Sequence, residues 1–130
     1  MSDPTATIRD LYAKFERGDV PAVLAALAAD VRWTEAEGFP HGGTYVGRDA
    51  VLNNVFLPLA AEWEVFSVTP REFVAGAGTV VALGDYSGTC KASGRSFRAP
   101  FAHVWKLSEG RVVAFHQHTD TELVQRAVRT

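Results

Sequence analysis

The chain is predicted to be an α+β protein, its helices gathered on one face of a curved, mainly antiparallel sheet. Three observations predict this. Apolar residues recur at helical spacing from Ile8 to Leu27 and again from Val51 to Leu59. From Val65 onward, runs rich in valine, phenylalanine and threonine are interrupted by glycine-bearing segments. Those segments are short, so the strands they join pair antiparallel.

Asp3 and Pro4 supply a capping oxygen and a first-turn proline. Ile8, Leu11, Tyr12 and Phe15 then form one apolar face, and Gly18 ends the first helix. Asp19 caps a second helix carrying Val20, Val23, Leu24 and Leu27, which Asp30 ends. Val31, Trp33 and Glu35 alternate with Arg32 and Thr34, so Trp33 and Glu35 share a strand face. Residues 38–47 are glycine-rich and read as a loop. Asp49 starts a third helix carrying Val51, Leu52, Val55, Phe56 and Leu59. Four strands follow, at about Val65–Ala75, Thr79–Lys91, Arg95–Leu107 and Arg111–Thr119. Thr119-Asp-Thr-Glu122 matches a capping box, opening a short final helix with Leu123, Val124, Ala127 and Val128.

At 130 residues, one domain spanning 1–130 is expected, long enough to bury a core. A net charge of −2 gives no electrostatic reason to expect nucleic acid or an anionic membrane as partner. Cys90 is the one cysteine, which excludes an internal disulfide and a cysteine-held zinc. No apolar run approaches a membrane span, and Met1–Thr7 lacks the basic-then-apolar signal pattern, so the expected location is cytoplasmic. No glycine-rich phosphate loop or dinucleotide fingerprint is present, so no organic cofactor is expected.

The segment from Arg111 to Glu122 is the most informative. An apolar strand there turns polar at His116, Gln117 and His118 and meets Asp120 at a helix start. Buried polar groups are costly without partners, so such clustering suggests a lined cavity. Asp120 is the first candidate for a general base; the competing reading is a first-turn carboxylate placed for the helix dipole. Glu35 is the second carboxylate; the competing reading is a rim glutamate. Two carboxylates lining one pocket would push their pKa values apart into an acid and a base. His116 and His118 share one face of their strand, and His103 lies on the neighbouring one. A four-residue turn would set His103 opposite His116, and a three-residue turn opposite Phe115. Convergence of the three would open a metal site, but no metal is expected. Tyr12, Phe15, Trp33, Phe56, Tyr86, Phe101 and Trp105 are core or cavity wall, with Tyr86 and Trp33 able to orient a ligand carbonyl. His41 sits in the glycine-rich loop near the expected pocket mouth.

The order and spacing of several segments resemble the nuclear transport factor 2-like superfamily, in its ketosteroid isomerase-related, SnoaL-like polyketide cyclase branch. These are Phe15-Glu-Arg-Gly-Asp-Val-Pro-Ala-Val-Leu24, Leu27-Ala-Ala-Asp-Val-Arg-Trp33, Gly43-Thr-Tyr-Val-Gly-Arg-Asp-Ala-Val51, Ala99-Pro-Phe-Ala-His-Val-Trp105 and Gly110-Arg-Val-Val113. The resemblance covers nearly the whole chain. It implies a cone-shaped (cystatin-like) fold: three helices in the N-terminal half, packed on the curved sheet, and a short C-terminal helix. It also implies a pocket for a small apolar carbonyl-type ligand, with isomerase, cyclase or dehydratase chemistry, and a homodimer formed through the outer sheet face. Non-catalytic ligand binding and dimeric assembly also occur on this fold.

Carried over residue by residue, the isomerase base matches Glu35. The protonated aspartate of its oxyanion hole matches Ala102, and its tyrosine falls at Leu11 or Tyr12. The aspartate of SnoaL-like cyclases and limonene-type epoxide hydrolases resembles Asp120, while Pro100 and Ala102 replace the hydrolases' arginine and aspartate. Steroid isomerisation and epoxide hydrolysis by those arrangements are therefore disfavoured. The expected catalytic set is Asp120, Glu35, His118 and His116. The expected ligand-binding set is Trp33, Tyr12, Phe15, Phe56, Tyr86, His103, Phe115 and Gln117.

Overall fold

The computed structural model describes residues 3–129; the expected domain's ends at Met1, Ser2 and Thr130 lie outside the described residues. Helix α1 (Pro4–Glu16) starts where Asp3 accepts from the Thr5 N–H, and α2 (Val20–Ala25) starts where Asp19 accepts from the Ala22 N–H. Gly18 between them takes φ +70, the left-handed turn that a glycine adopts without strain. Ile8, Leu11 and Val23 carry the helices' apolar faces into the core.

A six-stranded sheet runs in the order β2-β1-β6-β5-β4-β3. Its strands are β1 (Leu27–Glu35), β2 (Gly43–Val46), β3 (Trp63–Gly76), β4 (Thr79–Cys90), β5 (Ser96–Ser108) and β6 (Arg111–Thr119). All neighbours pair antiparallel except β1 with β6, which is parallel. One sheet face is buried: Val80, Ala82 and Tyr86 on β4, with Phe101, His103 and Trp105 on β5, point inward. Gly84 sits where β3 crosses closely, since a Cβ there would meet the Thr69 carbonyl at 2.1 Å. Strand β3 is irregular near this crossing, between Pro70 and Glu72.

Four sequence expectations are corrected. Strand β1 begins at Leu27, so Leu27 and Asp30 belong to it and not to the second helix. Leu27 and Val31 are both buried and four residues apart, a spacing that suits a helix face and a strand face alike. Residues 43–46 form β2, paired Trp33↔Tyr45 and Glu35↔Gly43, although the glycines around them suggested a loop. The third helix is continuous in path but mixed in type: α3 (Arg48–Val51), a π-turn (Leu52–Phe56) and α4 (Leu57–Glu62). Pro58 cannot donate to the Asn54 carbonyl, which accounts for the widened turn before it. Finally, the cap of α5 (Thr121–Val128) is Asp120, which accepts from the Leu123 N–H at 3.2 Å. Thr119 remains in β6 and donates to the Pro100 carbonyl.

Candidate active site

Strand β1 delivers Trp33 and Glu35 to the buried face, at 3% and 7% exposure. Glu35 is the last strand residue, so its carboxyl reaches the rim of the core instead of its centre. Burial pushes its pKa from the ordinary 4.5 up to about 7, with the Trp33 indole opposing weakly. Yet among the described residues Glu35 Oε2 and Trp33 Nε1 both lack a hydrogen-bond partner. The indole is therefore near enough to favour the anion but outside hydrogen-bond geometry.

Behind this pair runs a buried polar chain. The Trp105 indole N–H donates to the Tyr12 hydroxyl at 2.9 Å. That hydroxyl pairs with His103 Nδ1 at 2.6 Å. His103 Nε2 pairs with the Tyr86 hydroxyl. The Gln117 amide donates to Tyr86 at 2.8 Å, and its carbonyl accepts from the Ala36 N–H at 2.9 Å. Each buried polar tip thus finds a neighbour, as low-dielectric burial requires. Burial lowers the His103 pKa from 6.5 to about 3, so its imidazole is neutral. Burial likewise raises Tyr86 far above 10, with the nearby Glu35 charge adding to it.

Aromatic rings fill the space under Glu35. Trp33 stacks on Phe115 at 4.0 Å and meets Phe56 edge-on at 5.4 Å, and Phe56 in turn meets Phe15 at 5.3 Å. The free volume left over Glu35 is about 10 Å³, room for about one water molecule. Phe39, Asn54, Val55, Leu59 and Trp63 line this cleft, and His41 and Glu62 pair across its mouth at 2.8 Å. Glu35 and Phe39 also border a broader hollow of about 510 Å³, together with Thr34, Glu37, Gly43 and His116.

The structure divides the expected residues into two groups. It brings together Glu35 with Trp33, Tyr12, Phe15, Phe56, Tyr86, His103, Phe115 and Gln117. It leaves Asp120 and His118 outside this cluster, and His116 only borders the outer hollow beside Glu35, against expectation. Asp120 is exposed and spends its carboxylate on the α5 cap. The two histidines are exposed on the opposite sheet face, stacked 4.4 Å apart. The β5–β6 register explains the separation. A shift between Lys106 and Leu107 sets His103 opposite Gln117, which neither turn length anticipated. The same register turns Ala102 outward, opposite His118, so the inward polar residue of β5 is His103. Of the two tyrosine alignments, Tyr12 is the one in the polar chain.

Phe39, Trp63, Asn54 and Glu62 were missed. Phe39 had a signal, a large apolar side chain inside a glycine-rich loop, and Glu62 had none. Among the described residues no three histidine, cysteine or acidic side chains converge as a metal site. Among them, too, no helix is long and apolar enough to cross a membrane.

Comparison with known proteins agrees with this architecture. The SnoaL-like domain model matches residues 8–115. No curated protein matches the chain. A crystal structure of an NTF2-like protein from Burkholderia thailandensis is similar over 100% of both chains, with 38% identity and a TM-score of 0.96. An NTF2-like protein of unknown function from Burkholderia pseudomallei also covers 100% of both, at 37% identity and TM-score 0.92. A putative polyketide cyclase from Xanthomonas campestris shares the fold at 20% identity and TM-score 0.81, over 97% of this chain and 96% of that one.

Proposed function

The chain belongs to the SnoaL-like domain family, and from that premise we propose that it acts on a small apolar compound bearing an enolisable carbonyl. Glu35 is the general base. The carrying observation is the Glu35 carboxyl itself: buried, held near pKa 7, and with one oxygen unpartnered. A base poised near the working pH combines availability with driving force. The proton would leave the carbon beside the carbonyl for Glu35 Oε2, and the electron pair would pass onto the carbonyl oxygen. Returned to another carbon, that proton completes an isomerisation; attack by the enolate on a second carbonyl completes an aldol-type cyclisation. If the enolate's electron pair instead forms the α,β double bond, a β-hydroxyl leaves with its bonding pair, takes the proton held on Glu35 and departs as water, which completes a dehydration. The aromatic walls suit an apolar substrate skeleton.

Access to Glu35 runs between the 36–42 loop and α4, past the exposed His41–Glu62 pair. The small free volume favours a second reading, a closed protein that binds without turnover. Against it, a carrier has no use for an unpartnered carboxylate oxygen, since such an atom costs stability. We further propose that two copies pair through the outer sheet face and work in the cytoplasm.

Exchange of α-hydrogens for deuterium, followed by proton NMR over a panel of apolar ketones and 1,3-diketones, tests the reading. The wild type should accelerate exchange, and Glu35→Gln should lose at least about 100-fold. Compounds that bind yet exchange no faster than in buffer would leave the binding reading instead.

A further inference from the structure

Counting hydrogens along the buried chain gives a result that the distances alone do not. Two contacts flank His103, one to Tyr12 and one to Tyr86. Three hydrogens are available for them: one on each hydroxyl and one on the neutral imidazole. Trp105 and Gln117 supply their own hydrogens to the two tyrosines, so they do not change the count. One hydroxyl hydrogen is therefore surplus, on either Tyr12 or Tyr86. The His103 tautomer decides which. With the proton on Nδ1, the imidazole donates to Tyr12, Tyr86 must donate to Nε2, and the surplus lies on Tyr12. With the proton on Nε2, Tyr12 donates to Nδ1, Tyr86 accepts from both His103 and Gln117, and the surplus lies on Tyr86.

The surroundings distinguish the two. Among the described residues the Tyr12 hydroxyl has no acceptor beyond His103, and its ring is enclosed by Phe73 and Trp105. A surplus hydrogen there would be buried without a partner, which costs free energy. Tyr86 is tied to the Glu35 end of the network, since Gln117 donates to its hydroxyl and accepts from the N–H of Ala36, the residue after Glu35, and Glu35 Oε2 is an acceptor without a partner among the described residues. Both lone pairs of Tyr86 are then occupied by Gln117 and His103, which leaves its hydrogen as the group's one free valence.

We propose that Tyr86 is a catalytic hydrogen-bond donor to the substrate's carbonyl oxygen, and that His103, fixed as the Nε2–H tautomer by Tyr12, is the positioning residue that keeps its hydrogen free. The inference rests on the enolisation reading above. As Glu35 takes the carbon-bound proton and negative charge moves onto the carbonyl oxygen, Tyr86 O–H meets that charge without being ionised itself. Gln117 ties the donor to the base, because its carbonyl holds the Ala36 N–H next to Glu35. The substrate is thereby narrowed to compounds whose carbonyl oxygen and acidic hydrogen lie on one edge, as in a 1,3-diketone.

Nitrogen-15 NMR on protein labelled at histidine reads the tautomer directly, in the protein alone and with acetylacetone as probe. The expected result is a protonated Nε2 and a bare Nδ1 at His103, unchanged in Glu35→Gln. Tyr86→Phe should retain the fold and lose about 100-fold in α-hydrogen exchange of the probe. Tyr12→Phe should move the His103 proton to Nδ1 and reduce exchange, because Tyr86 must then donate to Nε2. A protonated Nδ1 in the wild type would overturn the proposal, as would full exchange activity in Tyr86→Phe. Loss of the Glu35→Gln effect with the Nε2–H tautomer intact would instead remove the general-base reading, so the two failures are distinguishable.

Discussion

Trp33 and Glu35 lie two residues apart on the same face of β1, and each carries a buried polar atom that no described residue satisfies. Every other polar tip of the neighbouring chain, from Trp105 to Gln117, is paired. An unsatisfied pair beside a satisfied network marks where a substrate's own polar atoms fit. It also makes the Glu35 charge removable at a gain in stability where Glu35 is ionised.

The first prediction concerns the pH dependence of turnover. With Glu35 held at about 7, the rate of α-hydrogen exchange should rise with pH along a single ionisation centred there and level off above it. Measurement of exchange between pH 5 and 9 checks this. A profile centred near the ordinary carboxylate value would mean that a different, exposed group takes the proton.

Stability should show opposing slopes from two buried groups. Glu35 has its folded pKa raised, so its contribution is complete below pH 4.5 and is lost as pH rises through about 7. His103 has its folded pKa lowered to about 3, so its contribution is complete above 6.5 and is lost as pH falls. Between 4.5 and 6.5 the two cancel, and their sum is flat. Glu35→Gln removes one slope. Relative to wild type it should gain stability as pH rises, by roughly 3 kcal/mol once Glu35 is ionised, at about 1.4 kcal/mol per unit. Denaturant midpoints of both proteins at pH 4.5, 6.5 and 8 provide the check; a pH-independent difference would contradict the raised pKa.

The residues left outside the cluster should behave as structural ones. Asp120→Ala removes the α5 cap and should cost about 1 kcal/mol, with exchange activity per folded molecule unchanged. His116→Ala and His118→Ala should likewise leave turnover within about twofold, given their place on the opposite face. A hundredfold loss in any of the three would return that residue to the catalytic set.

This division shows how far the sequence carries. Alternation alone put Trp33 and Glu35 on one face, because a strand's period admits no other outcome. Asp3, Asp19 and Gly18 were legible for similar reasons, since caps and left-handed turns are local chemistry. The fate of the histidines was not local. It depends on one extra residue, Val113, skipped where the partners of Leu107 and Lys106 step from Val112 to Ala114, and a single step in register sends every following side chain to the other face. The polar strand end that singled out Asp120 was real, but His116, His118 and Asp120 all face outward. Only Gln117 and the preceding Phe115 turn in, and His103 joins them because the register brings it opposite Gln117. The His41–Glu62 pair links residues from a loop and a helix end, a contact that no periodicity encodes.

The outer sheet face supports the last prediction. Register sets Val74, Val81, Val104 and His116 side by side across β3, β4, β5 and β6, with Glu72, Leu83, Ala102 and His118 in the adjacent row. Residues directly opposite on paired strands share a face, so these rows form one continuous surface. Val74 is 55% exposed and Leu83 37% exposed, an apolar stripe bordered by the Arg71–Asp85–Arg98 ion pairs. A stripe with a charged border is the composition of an interface core and rim. Pairing two copies there would bury Val81 and Val104 at the centre, where an uncompensated charge is costly. Val104→Asp should therefore convert a dimer to a monomer in sedimentation equilibrium at micromolar concentration. Turnover should persist, because Glu35 and Tyr86 point to the opposite face. A wild-type protein that sediments as a monomer up to about 100 µM, a weak limit on the affinity scale, would remove the pairing proposal and leave the proton-transfer site untouched.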